Sequence, residues 1–513
     1  MRLENSIKNI VIALICNTLN IIISFIAQSI FIKTLGTEYA GLNGVFTNII
    51  SMLSIVELGI GSQIIYHLYK PIAENNIIKI KQLMNFYRKS YNRIAIVVLL
   101  LGIFIMPFIN LFIGENNISE NIYFIYLLFV LDSVVSYLIA YKRSILYANQ
   151  QSRYVDLVHI VYVIIMNTVQ IAILLTTKNY IIYLIIKIIC RLLENLVIDR
   201  VANKFYSEIM KDNKEKLDDN TVSDIKKRVK ALIFHQIGGY LVLGTDSIII
   251  SKFLGLSVAG IYANYVLIFN SLNLILSQIF TAITSSVGNL LTENNEEKSY
   301  LLYKRLMLLN FWIYGLSAIG IYITINTIII IWLGVQYTFL NITILALSIN
   351  FFSQGMRRVM QTFAAAGGIC YENRFVPIIE ATVNLAVSII LVKLIGLTGV
   401  VIGTFVSSLV LHLYSFPVFI YEPIFKKEKN EYIVDYLKYL AIFLITLIVT
   451  YLATKFINID GNIMRLVFQV GMCLIIVNLI FYILFRKSEE FKYYLGLLYK
   501  LINKIRGKNN EAN

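Results

Sequence analysis

Leu35-Gly36-Thr37-Glu38-Tyr39-Ala40-Gly41-Leu42 returns later in the chain as Leu254-Gly255-Leu256-Ser257-Val258-Ala259-Gly260-Ile261, an offset of 255 − 36 = 219 residues. At the same offset Glu74-Asn75-Asn76 returns as Glu293-Asn294-Asn295. Each copy of the first motif lies between two long apolar runs, and each copy of the second follows the later run. Agreement of order and register at two places argues for a duplicated bundle of helices, and against chance matching in a low-diversity sequence.

Composition says where such a bundle would sit. The chain has 513 residues, of which 58% are hydrophobic and only 15% charged, with a mean hydropathy of +0.73. A soluble core of this size cannot absorb so much apolar surface. Uninterrupted apolar runs of about twenty residues recur along the whole length, the signature of membrane spans. Backbone polar groups in lipid must be satisfied internally, and no alternating ten-residue strands are visible, so the spans are expected to be helices. Cys16, Cys190, Cys370 and Cys473 are scattered and read as small apolar residues, not as a disulfide framework or a metal site. No cleavage site follows the first apolar run, which is expected to be a retained span.

The pattern predicts spans near 7–32, 40–67, 93–114, 120–148, 154–177, 180–200, 229–253, 259–291, 303–333, 338–366, 375–395, 396–421, 433–457 and 463–485. Basic residues crowd alternate connections. Lys70, Lys79, Lys81, Arg88, Lys89 and Arg93 follow the second span, and Lys204, Lys211, Lys214, Lys216, Lys226, Lys227 and Arg228 follow the sixth. The odd-numbered connections hold little more than Lys33, Lys178, Lys252, Lys393 and Lys455. Positive charge stays cytoplasmic, which predicts an even number of spans and both termini on that side. The net charge of +15 is thereby explained without nucleic acid.

The expected fold class is an all-α polytopic membrane protein with about fourteen transmembrane helices. It comprises a six-helix lobe over 1–200, a mixed-charge cytoplasmic linker over 201–228, a second six-helix lobe over 229–421, and two extra helices over 433–485. A basic tail over 486–513 carries Phe491, Tyr494, Leu495, Leu498, Leu501, Ile502 and Ile505 at helical spacing, and reads as an amphipathic helix on the inner leaflet. Because six is even, the second lobe enters in the same orientation as the first. Parallel repeats around an axis along the membrane normal, with a shared cavity, are the expected arrangement.

Several spans keep one polar face. Asn17, Asn20, Ser24 and Gln28 share a face of the first. Thr47, Ser51, Ser54, Glu57 and Gly61 do so in the second, and Asn270, Asn273, Ser277, Thr281, Thr284 and Gly288 in the eighth. Interhelical hydrogen bonding is the plain alternative to a cavity wall; the second and eighth spans are equivalent in the two repeats, which favours the wall. Glu57 and Asp246 are candidate coupling or ion-pair residues, since ionisable groups in lipid are costly. Asp246 shares a face with His235, Gly239 and Val242. Asp132, Asp156, His159, Lys187, Arg191, Glu194, Glu380 and His412 are harder to place; several sit near predicted span ends, where snorkelling or interfacial solvation suffices. Lys142-Arg143 and Arg357-Arg358 form a candidate cationic ring that would attract phosphate, against the competing reading that they only obey the positive-inside pattern. No P-loop, HExxH, GxSxG or acidic metal pair is present, so no catalytic residue, metal site or cofactor is expected.

With these residues in view the chain resembles the polysaccharide-transporter (Wzx-like flippase) branch of the multidrug/oligosaccharidyl-lipid/polysaccharide (MOP) exporter superfamily. Ser29-Ile30-Phe31-Ile32-Lys33-Thr34-Leu35-Gly36 through Ala40-Gly41, Val56-Glu57-Leu58-Gly59-Ile60-Gly61, and Asp246-Ser247-Ile248-Ile249-Ile250-Ser251-Lys252-Phe253-Leu254-Gly255 with Ala259-Gly260-Ile261-Tyr262 carry the likeness. It implies a bacterial cytoplasmic-membrane protein moving an undecaprenyl-diphosphate-linked oligosaccharide to the outer leaflet for capsule, O-antigen, exopolysaccharide or teichoic-acid assembly. Na+ or H+ is the candidate coupling ion, since without a Walker motif energy would have to come from an ion or substrate gradient; membrane lipids and a polysaccharide polymerase are the other expected partners. The alternatives are an ion-coupled small-molecule (MATE-type) exporter, a flippase for the peptidoglycan lipid precursor, or a membrane glycosyltransferase or polymerase, which the short outer connections disfavour.

Overall fold

A computed structural model describes residues 2–57, 60–210, 216–293, 295–369, 373–456 and 459–510, with side chains of 2–11, 56, 62, 230–243, 501–502 and 504–510 outside the description. Leu58, Gly59, Asn294 and Cys370, and the side chains of His235, Val242, Leu501, Ile502 and Ile505, therefore lie outside the described residues. All regular structure among the described residues is helical. The chain runs through Arg2–Leu35 (α1), Thr37–Leu53 (α2), Ile60–Ala73 (α3), Ile77–Ile105 (α4), Ile109–Phe112 (α5), Ile122–Tyr137 (α6), Ala140–Ala148 (α7), Ser152–Thr177 (α8) and Tyr180–Met210 (α9). It continues through Asp219–Leu254 (α10), Leu256–Thr292 (α11), Glu296–Trp332 (α12), Asn341–Gly367 (α13), Val376–Ile395 (α14), Leu397–Val410 (α15), Glu422–Phe425 (α16), Lys429–Lys455 (α17), Asn462–Phe485 (α18) and Glu489–Asn510 (α19).

Every expected span falls on one of these helices or on consecutive ones. Among the described residues nine helices are long and apolar enough to cross a membrane, or ten if the pair α6–α7, bent by 41°, is one span. The protein is an all-α, multi-pass membrane protein. Helices α9 and α13 are less apolar because each carries charge or amide groups: Lys187, Arg191 and Glu194 in one, Asn350, Gln354, Arg357 and Arg358 in the other. Breaks absent from the hydropathy pattern also appear. The second span is interrupted by a 3-10 turn at Ser54–Glu57, and the twelfth contains two π-turns, Leu411–Ser415 and Pro417–Tyr421.

The helices form two compact units, Met1–Val266 and Leu267–Asn513. Helix α11 begins in the first and runs into the second. The first unit packs α3, α4 and α7 around Ile64, Leu68, Leu83, Tyr87 and Ile145. The second is built on α12, α13, α17 and α18, with Phe352 stacked on Phe443 at 4.1 Å and 4°.

The repeated motifs prove to be corners and caps. Single residues join α1 to α2 and α10 to α11: Gly36 at φ 90° and Gly255 at φ 91°. At Gly36 ψ is −179°, a conformation essentially closed to side chains. The two corners meet inside the first unit. A Cβ on Gly41 would stand 2.0 Å from the Leu256 carbonyl oxygen, and one on Gly260 would stand 1.9 Å from that of Thr37. Since 37 + 219 = 256 and 41 + 219 = 260, the contact maps onto itself, as in an isologous interface. Thr37 Oγ1 and Ser257 Oγ add a hydrogen bond of 2.8 Å across it. The second motif is an N-cap in both copies: Asn76 Oδ1 accepts from the Lys79 amide at 3.0 Å, and Asn295 Oδ1 from the Lys298 amide at 2.9 Å.

Gly260→Ala must therefore separate two backbones, at a cost of about 1–3 kcal/mol or more. Gly44→Ala, in the same corner but with nothing within 4 Å of its Cβ position, should be neutral or gain up to about 1 kcal/mol of helix propensity. Thermal unfolding of the purified variants in detergent measures the difference; equal midpoints would contradict the corner contact.

Candidate functional site

The first polar centre is built on α6, α7, α8 and α9. Along α9, Arg191, Asn195, Asp199 and Asn203 recur every four residues, with Lys187 one turn before and Glu194 adjacent, so one face of the helix carries charge. Glu194 has a side chain only 1% exposed and receives Arg143 Nη2 at 3.2 Å, Arg191 Nη1 at 3.4 Å and His159 Nδ1 at 2.9 Å. With a carboxylate as acceptor, that ring nitrogen carries the proton. Asp132 receives Lys187 Nζ at 3.1 Å and Arg191 Nε at 3.4 Å. Lys142 pairs with Asp199 and reaches Asn203 at 3.3 Å. Asn195 accepts from Arg143 at 3.2 Å and donates to the Val135 carbonyl at 2.8 Å, which ties α7 and α9 to the end of α6. Ion pairs bridging helices are what make so many charges tolerable in apolar surroundings. Asp132, His159, Lys187, Arg191 and Glu194, which the sequence alone does not place, thus belong to one network. The four-residue spacing on α9 was the visible signal; its partners on other helices were not.

The second centre lies on α11, α12 and α13. Asn273 Oδ1 accepts from Tyr314 Oη at 3.0 Å and from Arg358 Nη2 at 3.2 Å. Adjacent residues on a helix point about 100° apart, and Arg357 turns the other way, its Nη2 2.7 Å from Glu380 Oε1. Glu380 and Arg357 are mostly buried, their side chains 6% and 12% exposed. No carboxylate lies within ion-pair distance of Arg358 among the described residues, and its Nε is buried without a partner. Of the four expected phosphate-attracting residues, Lys142, Arg143 and Arg357 each face an acid. Among the described residues Arg358 is held by neutral groups, the Asn273 amide and the Tyr314 hydroxyl.

The candidate cavity residues separate in the same way. Gln28 Nε2 donates to Asn264 Oδ1 at 2.8 Å, joining α1 to the start of α11. Asn17 and Asn20 are half-buried on α1, and Asn270 is exposed on α11. Ser51, Ser54, Ser277 and Thr281 bond to carbonyls of their own helices, Thr47, Ile50, Leu274 and Ser277 respectively. Their hydroxyls are thereby satisfied, and each oxygen keeps lone-pair capacity for another donor. Glu57, in the 3-10 break, accepts from Tyr91 Oη at 3.3 Å. Asp246 is buried and accepts from Tyr262. His412 is fully buried: Nε2 donates to the Ser353 carbonyl at 3.0 Å, Nδ1 pairs with Tyr432 Oη at 3.0 Å, and the ring stacks on Tyr436 at 4.0 Å.

No protein family matches the sequence, and neither does any curated protein. Solved structures do match in fold. A lipid II flippase MurJ in an inward-closed conformation aligns with a TM-score of 0.64 at 16% identity, over 93% of this chain and 99% of the flippase. An inward-facing multidrug resistance MATE family transporter of the MOP superfamily gives 0.60 at 14% identity, over 78% of this chain and 96% of that one. The Vibrio cholerae MATE transporter VcmN in its bent form gives 0.55 at 14% identity, over 84% and 98%. At these identities the likeness establishes the fold alone, which the chain shares with this flippase and these transporters.

Glu194→Ala leaves the half-buried Arg143 without its acid and takes one of two acids from Arg191, and should cost about 3 kcal/mol. Arg358→Gln removes a cation without stranding an acid, leaves Asn273 bonded to Tyr314, and should cost only about 1 kcal/mol. Unfolding midpoints in detergent rank the two, and the reverse order would contradict the assignment of partners.

Proposed function

We propose that the chain is a flippase that carries an undecaprenyl-diphosphate-linked oligosaccharide from the cytoplasmic to the outer leaflet of a bacterial cytoplasmic membrane, by alternating access and with both termini cytoplasmic. The observation that carries this reading is Arg358, a cation inside a span with amide and hydroxyl partners and no acid. A diphosphate can bind it without first displacing a carboxylate, and guanidinium geometry suits bidentate phosphate contact. The polar edge of α11 supplies donors and acceptors that a sugar needs, while the prenyl tail stays in lipid, where it costs nothing. In this reading 1–200 and 229–421 act as lobes joined by the 201–228 linker.

Coverage supports the flippase over a drug exporter. The flippase alignment takes in 93% of the chain, whereas the two MATE alignments leave 100 − 78 = 22% and 100 − 84 = 16% unmatched. Helices α17 and α18 are the pair beyond a twelve-span exporter, and they suit a lipid-borne substrate better than a soluble drug. Glu57 and Asp246, each with a tyrosine partner, are the proposed Na+ or H+ coupling residues. One charge moving through 100 mV contributes about 2.3 kcal/mol, enough to bias the exchange of states. The glycan would feed capsule, O-antigen, exopolysaccharide or teichoic-acid assembly through a polymerase.

Complementation of a flippase-deficient strain tests this. Arg358→Ala at unchanged membrane abundance should lower glycan export by more than about tenfold, the loss of one charge-assisted contact of about 1.4 kcal/mol or more, and Arg358→Lys should retain part of it. Glu57→Ala and Asp246→Ala should abolish export. Wild-type export by Arg358→Ala would remove the diphosphate contact from the mechanism.

A further inference from the structure

A polar cavity of about 270 Å3 lies wholly within the second unit, at the end of α12, α17 and α18 where α19 begins. One face of α17, Asp435, Lys438, Tyr439 and Ile442, forms one wall, at the i, i+3, i+4, i+7 spacing of a single helix stripe. Tyr303 and Lys304 of α12 form another, and Ser488 and Glu490 close the mouth. Met307, Leu308, Leu484 and Phe485 make the remainder apolar.

The tail helix holds this mouth in place. Ser488 Oγ accepts from the Phe491 amide at 3.2 Å and caps α19. Tyr494 Oη donates to the Arg305 carbonyl at 3.1 Å, and the Arg305 guanidinium lies 3.7 Å from the Tyr493 ring centroid. Yet the charges inside are not spent on one another. Among the described residues none of Lys304, Lys438, Asp435 and Glu490 makes an ion pair within 4 Å, although Asp435 lies within the fields of the other three. Tyr303 is 1% exposed and its hydroxyl has no hydrogen-bond partner, while Asp435 and Tyr439 are among its electrostatic neighbours. A buried hydroxyl left unsatisfied costs free energy unless something reaches it.

Two lysines and two carboxylates around one apolar-walled space exclude most occupants. A diphosphate would face Asp435 and Glu490, and a metal ion would face Lys304 and Lys438. A ligand carrying both signs meets all four. We propose that this cavity binds the phosphoethanolamine headgroup of a membrane lipid. The phosphate contacts Lys304 and Lys438, and the primary ammonium donates to Asp435 and Glu490. The Tyr303 hydroxyl donates to a phosphate oxygen, and the acyl chains leave along Leu484 and Phe485. Carboxylates call for an ammonium with N–H donors, which phosphocholine lacks. The site is independent of the transport reading, since lipid retention is measured without any translocation.

Native mass spectrometry of the purified full chain tests this, using mixed micelles with equal amounts of phosphatidylethanolamine, phosphatidylcholine and phosphatidylglycerol. Wild type should retain the ethanolamine lipid about tenfold over either competitor, one charge-assisted contact's worth. Asp435→Asn should erase the preference over choline, and Lys304→Ala with Lys438→Ala should erase retention of all three. Should these variants fail to give a monodisperse protein, Lys438→Ala alone, at an exposed position, should still lower ethanolamine-lipid retention several-fold. Free phosphoethanolamine should not displace the bound lipid. Equal retention of all three lipids, an Asp435→Asn protein that keeps the preference, or displacement by the free headgroup would overturn the proposal.

Discussion

Two glycine corners touching backbone to backbone are the constraint on which the first unit depends. Between helices in lipid no hydrophobic force distinguishes one packing from another, so close approach and hydrogen bonds must do so. At Gly41 and Gly260 the approach leaves no room for a Cβ, and Gly36 and Gly255 turn the chain in one residue each. The ends of α1 and α10 and the starts of α2 and α11 are set together there. From that corner α11 runs 273 − 260 = 13 residues to Asn273, about 20 Å at 1.5 Å per residue. A backbone contact thus anchors the helix that carries the longest polar stripe of the chain.

Charge within the spans follows one economy with an exception. On α9 the acids and bases occupy a single face and meet partners from α6, α7 and α8, so the centre is nearly neutral. Arg357 and Glu380 repeat the solution on α13 and α14. Arg358 departs from it. In the proposed reading this cation, supported by an amide and a phenol and without a carboxylate among the described residues, meets an anion that arrives from outside. The reading of the chain as a carrier of a diphosphate-linked substrate rests on that departure, in a fold shared with a lipid flippase and with multidrug transporters.

Much of this was legible in the sequence. Apolar runs located the helices because lipid demands about twenty such residues. The 219-residue repeat located two corners and two caps because glycine and asparagine are needed there for geometry, whatever their neighbours. The breaks were less visible. The 3-10 turn before Leu58 and the π-turns around Phe416 leave hydropathy unchanged. Side-chain partners were legible only in part, since Glu194 finds Arg143 across 51 residues of chain and no periodicity links them. Gln28 shared a stripe with Asn17 and Asn20, yet it bonds to Asn264, because a stripe names a face and not what covers it.

Transport by the purified protein tests the central claim most directly. In proteoliposomes carrying an undecaprenyl-diphosphate oligosaccharide in the inner leaflet, exposure of the sugar to an external glycosidase should rise with time only when the chain is present. Excess ethidium or another drug-like cation should leave that rate unchanged. A chain that moves such cations and leaves the lipid-linked sugar protected would contradict the account.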